Sequence, residues 1–244
     1  MQKFKGNSRV VMFGYHASYG IVIICSTMEL IKCKADSDQK RRSEGMNKMR
    51  LGEAQEILEW AGGCNPGPWT AHSQAVSEAA GRIAAKAGLN EEQARVYGLL
   101  HDIGRYKGVT SMMHIYDGYR YFVEKGYEDI AQICITHSFP VKDISYYSGA
   151  NDCSEAVYEE IKGLLERYEY TPYDALIQLC DSIALPEGVC LLEKRLLDVA
   201  MRHGINDTTV SKWEKIFEIK DQFEKEIGAS IYTLFPEAVE NTFR

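Results

Sequence analysis

Leu99-Leu100-His101-Asp102-Ile103-Gly104-Arg105 sets an imidazole and a carboxylate side by side where an apolar helical run meets a glycine. Burying such a pair is costly unless something compensates it, and a divalent cation is an economical compensator. Alone, the dipeptide reads as a polar helix end. Its weight comes from four residues elsewhere in the chain: His72, His114, His137 and Asp181.

Upstream of it, His72 recurs with Val76, Ala79 and Ile83 at i, i+4, i+7 and i+11, so the spacing predicts a helix from near Trp69 to Gly88 with the histidine on its inward face. Asn90 with Gln93 resembles a capping box for a helix over 91–103, which carries the opening stretch. Before these, a short helix over 53–60 is expected to close at Gly62-Gly63, followed by the rigid turn Cys64-Asn65-Pro66-Gly67-Pro68. Downstream, a helix runs from near His114 to Gly126. In the next one Ile130, Ile133 and Cys134 share the face that reaches His137. Residues 138–153 read as a long loop rich in Tyr, Ser and Gly. Ser154 caps a helix to about Tyr168, and Thr171-Pro172 opens another. Pro186 breaks that helix, Gly204 ends the one after it, and residues 207–227 form a long charged helix of an outer layer. No strand-like alternation and no internal repeat stands out. The fold class is all-α: one domain over residues 46–244 with its C-terminal helices packed on it.

Residues 1–45 are set apart as an extension outside that domain. Residues 10–31 are largely apolar behind Lys3, Lys5 and Arg9, but His16, Glu29, two glycines and several hydroxyls dilute the run. Three readings fit it: an extension without a role in the fold, with Met46 or Met49 as the natural start; a strand or helix docked on the body; or a membrane anchor. His16 is read as incidental. The same segment carries eight Lys/Arg against four Asp/Glu, whereas the remainder carries 20 against 31. That acidic body argues against a nucleic-acid polymer as partner, and no membrane partner is expected unless residues 10–31 are an anchor. Seven scattered cysteines without a C-x-x-C read as reduced thiols, two of them (Cys134, Cys180) in apolar helical runs, and point to a cytoplasmic protein.

Each candidate ligand has a plain structural alternative. His72 fits a core histidine, His114 and His137 fit surface positions, and His203 beside Gly204 reads as a cation at a helix C-terminus. Asp181 is harder to set aside. An aspartate within ALIQLCDSIAL must be neutral, paired or metal-bound. Taken together, three separate helices each bring a ligand-type residue to a buried stripe. Two imidazoles and two carboxylates (His72, His101, Asp102, Asp181) then make a mixed site with open positions, suited to Mn, Fe, Co, Ni or Zn ions more than to calcium.

The order His72, His101-Asp102, Asp181, with its HDIG core, resembles the HD superfamily of metal-dependent phosphohydrolases over about residues 65–200. The resemblance implies that those four residues ligate a metal. In the two-metal branches two further histidines hold a second ion while the HD aspartate bridges, and His114 and His137 match those positions, giving one or two ions. The chain lacks the G-Y-P signature and paired His-His of the cyclic-dinucleotide branch. Its histidine pattern is similar to that of the diadenosine-tetraphosphatase branch, although SIALPEG after Asp181 is not a close match.

The chemistry so implied is hydrolysis of a phosphate ester or anhydride, of a nucleotide by preference, by metal-activated water, with Asp102 as ligand and water-orienting group. Arg105 is the first choice for the cation that holds the phosphoryl oxygens, and Lys107 the second, the alternative for both being solvated charge at a helix end. Tyr146 and Tyr147 offer rings that could cover a base. Two rival functions remain: an HD-fold diiron oxygenase, and a catalytically silent nucleotide-binding regulatory domain.

Overall fold

The computed structural model describes residues 48–243, and the expectations for residues 1–45 lie outside them. Among the described residues there are ten α-helices, short 3₁₀ turns and one two-stranded hairpin. The all-α reading holds.

α1 (Leu51–Cys64) begins where the Glu53 carboxylate accepts the Arg50 N–H at 2.9 Å. It runs through Gly62-Gly63 instead of stopping before them: two glycines weaken a helix without breaking it. The following turn is fastened at both ends. Trp69 Nε1 donates to the Asn65 carbonyl (2.8 Å), and Asn65 Nδ2 donates to the Arg105 carbonyl (2.7 Å). α2 (Trp69–Ala87) buries His72, Val76, Ala79 and Ile83 on one stripe, as its spacing predicts, and ends at left-handed Gly88. α3 (Glu91–Leu100) is capped by Asn90, whose side chain accepts the Gln93 N–H at 2.8 Å. α2 and α3 touch backbone to backbone. A Cβ on Gly98 would lie 2.5 Å from Ser77 Cα, so only glycine permits this approach.

α3 stops at Leu100, short of the expected Ile103. His101 and Asp102 turn the chain into a 3₁₀ segment, Ile103–Lys107. α4 (Met113–Val123) and α5 (Glu128–Thr136) follow, the second ending against His137. Ser154 caps α6 (Glu155–Arg167), and Thr171 with Asp174 forms a full capping box on α7 (Pro172–Asp181). Beyond α7 the chain makes the tight hairpin β1 (Ala184–Leu185) and β2 (Gly188–Val189), paired antiparallel as Ala184 with Val189 and Leu185 with Gly188. Four residues in strand conformation carry too little alternation to be read from sequence. α8 (Leu192–His203), α9 (Thr209–Ile227) and α10 (Ala238–Thr242) complete the chain.

The main core joins α1, α2, α3, α5 and α7, and α9 adds Ile216, Ile219 and Phe223 to it, so α9 is more than a charged outer layer. A second cluster (Ile115, Ile135, Phe139, Ile161, Leu164) seats α6 against α4 and α5. Cys134 and Cys180 are buried free thiols, as their apolar runs predict, and Cys190 is buried as well. Among the described residues no helix is long and apolar enough to cross a membrane.

Candidate metal centre

Six side chains from five elements converge at the floor of a cleft of about 620 Å³. α2 supplies His72, the turn after α3 supplies His101 and Asp102, α4 supplies His114, the end of α5 supplies His137, and α7 ends on Asp181. They form two triads, His72–His101–Asp181 and Asp102–His114–His137, within each of which the ligand atoms lie no more than 4.8 Å apart. Asp102 touches both groups: Oδ1 is 3.0 Å from His114 Nε2 and 3.6 Å from His137 Nε2, while Oδ2 is 3.9 Å from His101 Nε2. On the other side Asp181 Oδ1 is 2.9 Å from His72 Nε2 and 4.0 Å from His101 Nε2.

The backbone decides which ring nitrogen faces the centre. His101 Nδ1 sits 2.8 Å from the Gly98 carbonyl, His137 Nδ1 2.9 Å from that of Cys134, and His114 Nδ1 against that of Ser111. A carbonyl can only accept, so each Nδ1 carries the proton and each Nε2 lone pair points inward. This is how metal-binding imidazoles are oriented. His101 Nε2 is fully buried and has no hydrogen-bond partner, a costly state that a cation in the centre relieves.

Electrostatics agree with the geometry. Burial pushes the His101 pKa down, and burial, with the His101 ring close by, pushes that of His137 to about 3, so both rings stay neutral and able to donate a lone pair. Burial alone would raise the Asp102 carboxyl, but Arg105, His114 and His101 outweigh it and hold the pKa well below the usual carboxylate range. Asp181 is held down in the same way, chiefly by its hydrogen bond to His72. The floor of the cleft thus presents the neutral rings of His101 and His137 with the ionised carboxylates of Asp102 and Asp181, a donor set that divalent transition metals take.

The packing explains why these residues meet. A Cβ on Gly104 would lie 1.9 Å from the His114 carbonyl oxygen and 2.5 Å from Gly118 N, so the glycine of the HDIG stretch lets α4 come close enough to bring His114 to Asp102. Gln178, buried one turn before Asp181, donates to the Thr136 (2.9 Å) and Phe139 (3.1 Å) carbonyls, and Thr136 Oγ1 donates to Asp174 (2.5 Å). These bonds clamp α7 to the end of α5 and set Asp181 beside His137. Asp152, from the long loop, accepts the N–H groups of Ser111 (2.7 Å) and Met113 (2.8 Å) and so braces the start of α4.

Arg105 reaches the cleft, but its Nε is 2.5 Å from Asp102 Oδ2 and its Nη2 3.5 Å from His114 Nε2, so its charge sits against the aspartate. Lys107 turns elsewhere, to the buried carboxylate of Asp117 at 2.7 Å, and does not line the cleft. Tyr147 lines the cleft; Tyr146 does not. His203 closes α8 as expected and also faces the cleft. Burial and the charges of Arg202, Arg195 and Arg105 depress its pKa, against the reading of it as a standing cation. Sequence reasoning missed the rest of the far wall: Trp69 from α2, Arg195 and Arg202 from α8, and Lys212 and Trp213 from α9. Those cations read as solvated faces of charged helices, and no local pattern separates them from their neighbours.

The class defined by this fold and centre is an all-α protein with a histidine–aspartate pocket that could hold a metal ion. Residues 70–185 match the family model described as HD domain. That matched segment holds all six converging residues. Searches of curated proteins and of solved structures returned no match.

Proposed function

We propose that the protein is a metal-dependent phosphohydrolase that cleaves a phosphate ester or anhydride of a small molecule, a nucleotide by preference. The observation that carries this reading is the orphaned, inward-facing Nε2 of His101 at the meeting point of the two triads. His72, His101 and Asp181 would hold one divalent ion, and Asp102, His114 and His137 a second, with Asp102 in reach of both. Manganese, iron, cobalt, nickel or zinc suits this N/O set. When bound, such an ion supplies Lewis acidity toward a phosphoryl oxygen and acidifies a coordinated water.

The chain's own groups do the rest. Asp102, ionised and buried, orients the attacking water through whichever oxygen is left free. Arg105 stands beside it with a fork that matches two phosphoryl oxygens and offsets the charge that builds up on them. Trp69, Trp213 and Tyr147 give the cleft aromatic surface against which a base can lie. The acidic body makes a nucleic-acid polymer a poor substrate.

The test is a panel of nucleoside mono-, di- and triphosphates and dinucleoside polyphosphates, with Mn²⁺, Co²⁺, Fe²⁺, Ni²⁺ and Zn²⁺ supplied in turn. Hydrolysis that needs metal and disappears in Asp102→Ala supports the reading; metal-independent hydrolysis, or hydrolysis that survives the substitution, overturns it. A second reading draws on one specific observation. Each triad is two histidines and one carboxylate, a set that also serves non-haem iron. Dioxygen uptake by iron-loaded protein, in place of phosphate release, would favour a diiron oxygenase.

A further inference from the structure

The wall opposite the triads is built by α8 and α9, outside residues 70–185, and it carries positive charge that the metal centre does not use. Arg195 Nη1 (3.3 Å) and Arg202 Nη2 (3.1 Å) share the single carboxylate of Asp198. Arg195 Nε is buried with no hydrogen-bond partner. Lys212 is partly buried in the same wall and donates only to neutral groups: the Ser138 and Tyr146 carbonyls at 3.0 Å each and Ser148 Oγ at 2.9 Å. Among the described residues no carboxylate lies within ion-pairing distance of it. Burial lowers its pKa to about 8 while Asp181 pulls the other way, so the ammonium keeps its charge near neutrality.

The cleft therefore holds four fixed cations (Arg105, Arg195, Arg202, Lys212) and three carboxylates (Asp102, Asp181, Asp198) before any metal enters. Each divalent ion adds two further positive charges. With metal bound, one phosphoryl group does not balance that excess; without it, cations that share one aspartate or rest on neutral acceptors still lack counter-charge, which is costly where they are desolvated. The guanidinium of Arg195 also has an N–H to satisfy.

We infer that Arg195 and Arg202, backed by the charge of Lys212, form a second anion subsite, which holds a phosphate of the substrate other than the one attacked. The substrate class is then a compound with at least two phosphoryl groups, a phosphoanhydride or a bisphosphate, and not a simple monoester. The choice of substrate class rests on the hydrolase reading above; the subsite itself does not, because it needs neither metal nor turnover.

Calorimetry on the full chain, freed of metal by chelator and held at physiological ionic strength, tests the subsite with inorganic tripolyphosphate as probe. Wild type should bind it, Arg195→Gln should weaken binding about 10-fold or more, and Arg202→Gln, on a half-exposed side chain, somewhat less. Lys142→Gln removes a surface cation outside the cleft and should leave binding unchanged. Should Arg195→Gln melt early, Arg202→Gln carries the test. Tripolyphosphate that fails to bind, or binds equally well to both variants, overturns the inference and leaves the hydrolase reading standing. With metal restored, Arg195→Gln should raise KM for a nucleoside triphosphate about 10-fold while kcat stays within about threefold. KM rising equally for a monophosphate would reduce Arg195 to a general structural role and overturn the subsite. An absence of turnover on every substrate would count against the hydrolase reading alone.

Discussion

The two walls of the cleft are built on opposite plans. The histidine–aspartate wall is buried and braced: three imidazoles are pinned by backbone carbonyls, and a glycine contact fixes how closely the 3₁₀ turn after α3 approaches α4. The α8–α9 wall is looser. Leu192 is the only fully buried residue of α8, and Met201 on that helix is 81% exposed. Its cations share one aspartate or rest on neutral acceptors. A wall whose geometry is over-determined suits chemistry, where small displacements are costly. A wall with spare charge and few packing constraints suits the choice of what is bound. Substitutions in the first should therefore strike metal and turnover together, and those in the second should strike affinity alone.

The largest effect is expected at Asp102, the one residue in reach of both triads. Asp102→Asn should lower turnover by about 10³-fold or more, the scale seen when a group on which a whole catalytic unit depends is removed. Elemental analysis should show metal lost from both positions. Retention of the full complement of metal would break the view of the braced wall as one unit.

How much of each wall the sequence discloses follows the same division. His72 sits on an apolar stripe and Asp181 within an apolar run, so burial of a polar group is legible there from periodicity alone. The HD pair gains its meaning from them. Arg195 lies in LEKRLLDVAMRH and Lys212 in SKWEKIF, where charges alternate as on any solvated helix face. Only tertiary packing turns them inward, and no local rule carries that information. The same limit hid Asp152 and Gln178, whose partners are 39 to 42 residues away in sequence. The hairpin after α7 escaped because its strands are two residues each.

The next effect down concerns the close approach that builds the braced wall. Gly104→Ala puts a methyl group against the His114 carbonyl and Gly118 N, both backbone atoms that can move only if α4 moves. Destabilisation of about 3 kcal/mol is expected in urea unfolding, the upper part of the range for overpacking. Loss of metal should accompany it, since His114 rides on the same helix. A smaller effect is expected at Asp152, which touches no ligand side chain but holds the first turn of α4 through two backbone N–H groups. Asp152→Ala should cost about 1 kcal/mol of stability, as loss of a helix cap does. It should also weaken metal binding about 10-fold by loosening His114. Asp152→Asn, which keeps an acceptor, should recover part of both.

The smallest effect is a slope, and it separates the walls most cleanly. Burial lowers the pKa of His101, and burial, with the His101 ring close by, lowers that of His137 to about 3, against about 6.5 in an unfolded chain. Between those values the folded protein keeps the ring neutral while the unfolded chain protonates it, so the unfolded state binds more protons and stability falls as pH drops. Asp102 and Asp181 act with the same sign, but their window lies below the ordinary carboxylate pKa, near 4. The loss that begins near pH 6.5 therefore belongs to the imidazoles. Metal-free protein should lose about 1 kcal/mol per pH unit through His137 between pH 6 and 4, with His101 adding in the same direction, measured by urea unfolding. His137→Gln should flatten that slope, whereas Arg195→Gln, which touches it only through the smaller share of the exposed His203, should change it far less. A slope that follows Arg195 instead would mean that the two walls do not divide the work as their packing implies.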